Sequence, residues 1–155
     1  MNTRTSMKSR VRKSPPPTLR LKSEFRRVFR SGRRLRGEFM QIIIMKRPQR
    51  EDPGISDGRV GYVIPEKAIK GSVGRNRMRR LLKEALRRWW AHIEPGYDIV
   101  LQVGKVPRVD HAEYVEMILL ELFIKAELLI NDGVRIAEER IESLAKKIKG
   151  TEGQL

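Results

Sequence analysis

The chain has 155 residues, no cysteine and a formal net charge of +15, from 34 Lys or Arg against 19 Asp or Glu. That length suits one domain with tails, the missing cysteine excludes disulfides and Cys-ligated zinc, and no apolar run reaches the roughly 18 residues of a membrane helix. The charge is uneven: residues 110–155 hold ten acids against six Lys or Arg, net −4, which leaves +19 on residues 1–109. A basic face built from the first two thirds of the chain is therefore expected, with the last third facing elsewhere.

Residues 1–18 read as an unstructured basic arm, because prolines 15–17 cannot donate backbone hydrogen bonds and favour an extended chain. The same prolines stand where a signal peptide needs its apolar segment, so a cytoplasmic location is expected. Residues 22–30 predict a short helix, with Ser23 as N-cap, Phe25, Val28 and Phe29 at helical spacing, and Gly32 as its stop. Residues 39–45 (FMQIIIM) are apolar on both faces and predict a central strand. A loop with Pro48, Pro53 and Gly54 follows, and then a second strand over 59–64 that Pro65 ends.

The spacing predicts the main helix over 72–90. Met78, Leu81, Leu82, Ala85, Leu86 and Trp89 form its apolar stripe, while Asn76, Arg80, Lys83 and Arg87 project opposite and Arg75 and Arg79 lie on the flank. Pro95-Gly96 turns into a strand over 97–103 with Tyr97, Ile99, Leu101 and Val103 on one side. A helix is expected from Asp110, where Asp110 and Glu113 resemble a capping box, to about Ile130, closed by Asn131-Asp132-Gly133. A last helix over 134–149 keeps Val134, Ala137, Ile141, Leu144 and Ile148 on one seam. Glu138, Glu139 and Glu142 would turn it away from phosphate, so it is expected to pack on its own domain or on a second copy, the first favoured because the seam is too short for a stable coiled coil. Helices linking strands of a small sheet suggest an α+β or α/β sandwich.

No active site emerges from the residues. His92 and His111 lack a Cys, Ser or second His at a triad or metal spacing and read as structural or surface groups. The carboxylates are scattered, and glycines 71 and 74 lack the strand-to-GK[ST] pattern of a phosphate-binding loop. What is present is phosphate-binding chemistry. Arg75, Arg77, Arg79, Arg80, Lys83, Arg87 and Arg88 crowd around one acid, Glu84. Such cations repel one another, and a polyanion that releases counterions supplies the reason to keep them together. Arginine forks grip phosphates with two hydrogen bonds, and Gly71 and Gly74 let backbone N–H groups approach next to a helix N-terminus. Phe25, Phe29, Phe39 and Tyr62 are either core residues or stacking platforms for unpaired bases.

Residues 59–88, RVGYVIPEKAIKGSVGRNRMRRLLKEALRR, strongly resemble the signature of the bacterial ribonuclease P protein family: a strand R-[VI]-G-x-x-[VI], a Lys-containing loop, an RNR motif, a further basic pair and an apolar helix. LKSEFRRVFRSGRR (21–34) looks like the family's first helix, and GYDIVLQVGK (96–105) like its last strand, so the resemblance covers about residues 19–130. It implies a four-stranded mixed sheet packed with helices, and a left-handed β-α-β crossover, a rare hand, that presents the RNR motif. It also implies two partners: a large catalytic RNA that performs hydrolysis with magnesium ions, and precursor tRNA, whose single-stranded 5′ leader lies in the cleft beside the first helix. On this chain Arg75, Asn76, Arg77, Arg79 and Arg80 match the block that contacts the catalytic RNA, and Lys67, Lys70 and Lys83 lie beside it. Phe25 and Phe29 match the cleft aromatics; Arg59, the arginine that opens the strand, is expected with Lys67 to flank the same leader cleft as an accessible cation, and no catalytic or metal-binding residue is assigned. Glu66 stands where a lysine is common, and Ile42 near a position that some members give to a leader-stacking tyrosine. Residues 131–155 form a helical extension beyond the family pattern. A non-catalytic RNA-binding protein of ribosomal type, and a DNA-binding architectural protein, are the alternative readings of the same basic surface.

Overall fold

The computed structural model describes residues 16–47, 58–109 and 111–153, the last three as backbone only. The arm's cations up to Lys13, the loop 48–57 and the capping role expected of Asp110 lie outside these residues. In chain order the elements are α1 (Lys22–Ser31), β1 (Arg33–Arg36), β2 (Met40–Lys46), β3 (Arg59–Val63), α2 (Ser72–Trp89), β4 (Tyr97–Val103), α3 (Ala112–Lys125) and α4 (Gly133–Gly153). A single 3-10 turn, Trp90–His92, follows α2.

The strands form one mixed sheet in the order β1-β2-β4-β3, with β1/β2 and β2/β4 antiparallel and β3/β4 parallel. Helix α2 is thus the crossover between two parallel neighbours. Successive side chains along a strand point to opposite faces, and the register sorts them cleanly. Ile42 pairs with Leu101 and Ile44 with Ile99, and these lie with Val60 and Val103 in the large core that α2, α3 and α4 cover. On the other face Ile43 pairs with Val100, and both lie in a smaller buried cluster with Leu19 and Val28, under α1. The α2 stripe is as expected: Met78, Leu82, Ala85, Leu86 and Trp89 are buried.

Several expectations need correction. Ser23 does not cap α1. The N-cap position is Leu21, and the Glu24 carboxylate accepts hydrogen bonds from the N–H groups of Arg20 (3.0 Å) and Leu21 (2.9 Å). Gly32 ends the helix in extended, not left-handed, backbone; it is required because a Cβ there would meet Ile43 Cγ2 at 2.6 Å. The arm does not run free to residue 18. Val60 N–H donates to Pro17 O and Leu19 N–H to Val60 O, both 2.9 Å, which ties this segment to the edge of β3. Helix α3 ends at Lys125 rather than near Ile130, because Glu127 adopts φ 58° and Leu128 N–H returns to Phe123 O at 3.1 Å, a Schellman closure.

Helix α4 packs against α3 of the same chain, with Ala137, Leu144 and Ile148 buried but Val134 exposed. A buried carboxylate marks the joint. Glu116 of α3, 2 % exposed, accepts from Trp89 Nε1 of α2 at 2.9 Å and from Arg140 of α4 at 3.1 and 3.2 Å, with Arg88 at 3.5 Å. Burial opposes its ionisation, but these donors outweigh it and hold its pKa below the usual carboxylate range.

Candidate nucleic-acid interface

The basic block sits at the N-terminal half of α2, after a loop that folds back on itself through Ala68 and Ile69 N–H groups bonded to Pro65 O. Gly71, at φ 85°, makes the turn into the helix, a backbone region that disfavours a side chain. No side chain caps α2 and no acid lies in its first turn, so its first N–H groups and the positive end of its dipole face outward. Gly74 has a second reason to be glycine, since a Cβ there would meet Ile69 Cγ2 at 3.0 Å.

Around that helix end the structure gathers the predicted cations. Arg75 is half-buried and donates to Ile69 O at 3.1 Å, which ties the first turn of α2 to the preceding loop. Arg79 donates to Asn76 Oδ1 at 3.3 Å, so the asparagine between the two arginines positions a third. Arg77, Arg80, Lys83, Lys67 and Lys70 are exposed. Lys83 lies 5.6 Å above the ring of Tyr62, whose phenol pKa burial pushes up. Arg80 and Arg87 form no ion pair among the described residues, which leaves their charge for an outside anion.

The second predicted region divides in two. Phe25 and Phe29 are both half-buried beside Leu19, Val28, Ile43 and Val100. Phe25 lies against Gly61, where a Cβ would come 2.6 Å from its Cζ. Arg34 lies 5.5 Å above the Phe29 ring and donates to Phe29 O at 2.9 Å. Arg59, expected to flank this cleft as an accessible cation, is instead engaged inside the fold. Its fork donates to Asp98 at 2.9 and 2.7 Å and to Glu24, and Asp98 is wholly buried with Arg27 and Arg47 each 3.8 Å away. Burial works against Glu24, yet the Leu21 and Arg20 N–H groups and Arg59 hold its pKa below the usual range.

Beside α1, toward the Gln41–Gln102 end of the strands, the described residues leave the same sheet face open. A cavity of about 400 Å³ opens there, lined by Arg36, Gly37, Glu38, Phe39, Met40, Gln41, Lys67, Gln102, Gly104 and Lys105. Gln41 and Gln102 are cross-strand partners, and the Gln41 side-chain amide donates to Gln102 Oε1 on its floor. Lys67 reaches this cavity from the crossover loop, so the structure brings it to the cleft as well as to the α2 block. Arg34, Arg36, Gln41, Gln102 and Lys105 were not among the expected site residues. A signal existed for the glutamines: each is a polar break in an apolar strand, on the face opposite the large core. Ile42 is fully buried on that other face, so no base can stack there, and Phe39 is core, 6.1 Å from Tyr114.

Residues 15–126 match the family model described as Ribonuclease P. A ribonuclease P protein component of Picosynechococcus is 30 % identical over 105 residues, which is 68 % of this chain and 85 % of that relative. The ribonuclease P protein of Thermotoga maritima superposes with a TM-score of 0.59 at 29 % identity, covering 70 % of this chain and 96 % of that one. That of Staphylococcus aureus gives 0.63 at 16 % identity over 73 % and 97 %, a likeness of fold. With the motif block on the crossover helix and the four-stranded sheet in place, the chain belongs to the bacterial ribonuclease P protein family, whose members act with an RNA subunit in processing the 5′ ends of tRNA.

Proposed function

We propose that α2 and its preceding loop dock the chain on the catalytic RNA, while the uncovered sheet face beside α1 receives the single-stranded leader of precursor tRNA. Family membership favours this over the ribosomal-type and DNA-binding alternatives. The observation that carries the leader half is the open end of the sheet, a polar floor flanked by Arg36, Lys67 and Lys105, on the face where half-buried Phe25 rests against Gly61, opposite Val100 and two residues from Gln102. Arg75, Arg77, Arg79, Arg80 and Lys83, with Asn76 and Lys70 beside them, supply the phosphate contacts for the catalytic RNA. Arg59 contributes by fixing α1 to β3 and β4 through Glu24 and Asp98, so it sets the cleft's width rather than touching RNA.

In this reading the RNA subunit carries out hydrolysis, with magnesium ions acting there. Among the described residues no group of three or more His, Asp or Glu assembles to hold a metal. Among them, too, no helix is long and apolar enough to cross a membrane; we place the protein in the cytoplasm. The test is binding of precursor and mature tRNA by the reconstituted ribonucleoprotein. Stacking on an aromatic is worth about 1–3 kcal/mol per base, so Phe25→Ala should weaken precursor binding roughly fivefold or more and spare mature tRNA. Equal losses for the two ligands in a folded variant would make Phe25 a core residue and remove the leader from this cleft.

A further inference from the structure

Helix α1 carries a feature the proposed site has not used. Lys22, Arg26 and Arg30 recur at intervals of four and are all exposed, and none forms an ion pair among the described residues. Like charges at this spacing destabilise a helix by a few tenths of a kcal/mol each, so stability does not explain the row. The nearest acid in the helix, Glu24, is turned to Arg59.

The row's place is more telling than its charge. Lys22 is three residues before Phe25 and Arg26 three before Phe29, so each cation neighbours one aromatic on the helix surface. At the helix end Arg34 adjoins the Phe29 ring and carbonyl, and Arg36, two residues farther along β1 on the same sheet face, lines the open cavity. The cations thus form one track: from the cavity at Arg36, past Arg34, then along about 12 Å of α1. The basic block of α2 is elsewhere, since α2 packs on the opposite face of the sheet.

We propose that Lys22, Arg26 and Arg30 bind the phosphate backbone of unpaired leader nucleotides upstream of those held in the cleft. The inference rests on the leader reading above, and it commits to the leader rather than the catalytic RNA because the track is continuous with the cleft and flanks its two aromatics. It predicts that this chain's contribution to substrate affinity grows with leader length.

The experiment compares precursor tRNAs whose leaders have roughly 4 and roughly 16 nucleotides, the span of single-strand site sizes. The reconstituted ribonucleoprotein would carry the wild-type chain or the triple variant Lys22→Gln, Arg26→Gln, Arg30→Gln. Each single-strand phosphate contact contributes about 0.7 to the log–log salt slope. The wild type should therefore show a slope about 2 steeper for the long leader than the variant does, roughly a 20-fold difference over a fourfold rise in salt. Short-leader and catalytic-RNA binding should be unchanged, and restoring charge with Lys22→Arg, Arg26→Lys, Arg30→Lys should restore the slope. An equal loss for both leaders, a loss confined to catalytic-RNA binding, or no loss at all overturns the track. If short-leader precursor and mature tRNA bind alike in the wild type, the cleft reading itself has failed.

Discussion

Gly61→Ala is the sharpest probe of the cleft, because it presses on Phe25 without touching any charge. Gly61 lies in β3 opposite Val100 and has no left-handed backbone, so an alanine meets no conformational penalty there. Its Cβ, however, would come 2.6 Å from Phe25 Cζ and 3.1 Å from Leu19 Cδ1. Carbon atoms rest at about 3.5–4.0 Å, so the ring must retreat by roughly 1 Å. Overpacking of this kind costs about 1–3 kcal/mol, and the loss of glycine's freedom in the unfolded chain returns about 0.4–1 kcal/mol. A net loss of about 1–2 kcal/mol should lower the melting temperature by about 2–8 °C for a chain of this size. The loss should shrink in a Phe25→Leu background, with a coupling of about 0.5 kcal/mol or more. Displacing the ring should also weaken precursor binding more than mature tRNA binding. A melting temperature that stays level or rises, with no coupling to residue 25, would refute the seating of this ring on β3.

Replacing Arg75, Arg77 and Arg79 with Ala should flatten the salt dependence of catalytic-RNA binding, by about 2.7 in log–log slope if all three contact duplex-like phosphates, with little change in melting temperature. Arg140→Met removes the bidentate partner of Glu116; with Trp89 and Arg88 remaining, a loss of about 1–3 kcal/mol by denaturant titration is expected. Glu24 and Glu116 both have pKa values lowered from 4.5. Their contribution to stability is complete above that value and disappears as pH falls through the lowered values, so stability should drop on acidification below about 4.5, and less so in Glu116→Gln.

How far the sequence was legible depends on how local each determinant is. The alternation in YDIVLQV and the stripe from Met78 to Trp89 are set within a few residues, and both elements stand within a residue of the expected bounds. Strand β1 escaped notice because RRLR carries a single apolar residue, Leu35, and only pairing with β2 makes it a strand. The end of α3 was hidden because apolar residues continue to Ile130, while the stop lies in the left-handed backbone of a glutamate. Arg59 looked like a cleft cation for a related reason. Its partner Asp98 is 39 positions away and reaches it only because β3 and β4 pair in parallel. The α2 block was readable because crowding of like charge is itself a local signal.

The two faces of the sheet explain why one small fold can serve two RNA surfaces. Helix α1 crosses the strands, with Phe25 against Gly61 of β3 and the Gly32 end against Ile43 of β2, so it roofs one end of its sheet face and not the other. The residues beneath follow that limit: Ile43 and Val100 lie under the helix, and Gln41 and Gln102, two positions along the same strands, lie beyond it. An apolar pair at the open end would leave a greasy patch with nothing to cover it, whereas hydrogen-bonded amides tolerate both water and a nucleotide. On the opposite face α2 and α3 cover the sheet and α4 packs outside α3. That layering places α3 and α4 on the side away from α1 and its cation row. Each side of the sheet therefore carries its own basic element, the cation row of α1 on one and the N-terminal block of α2 on the other, and a positive field of this kind orients a protein toward a polyanion before any contact is made.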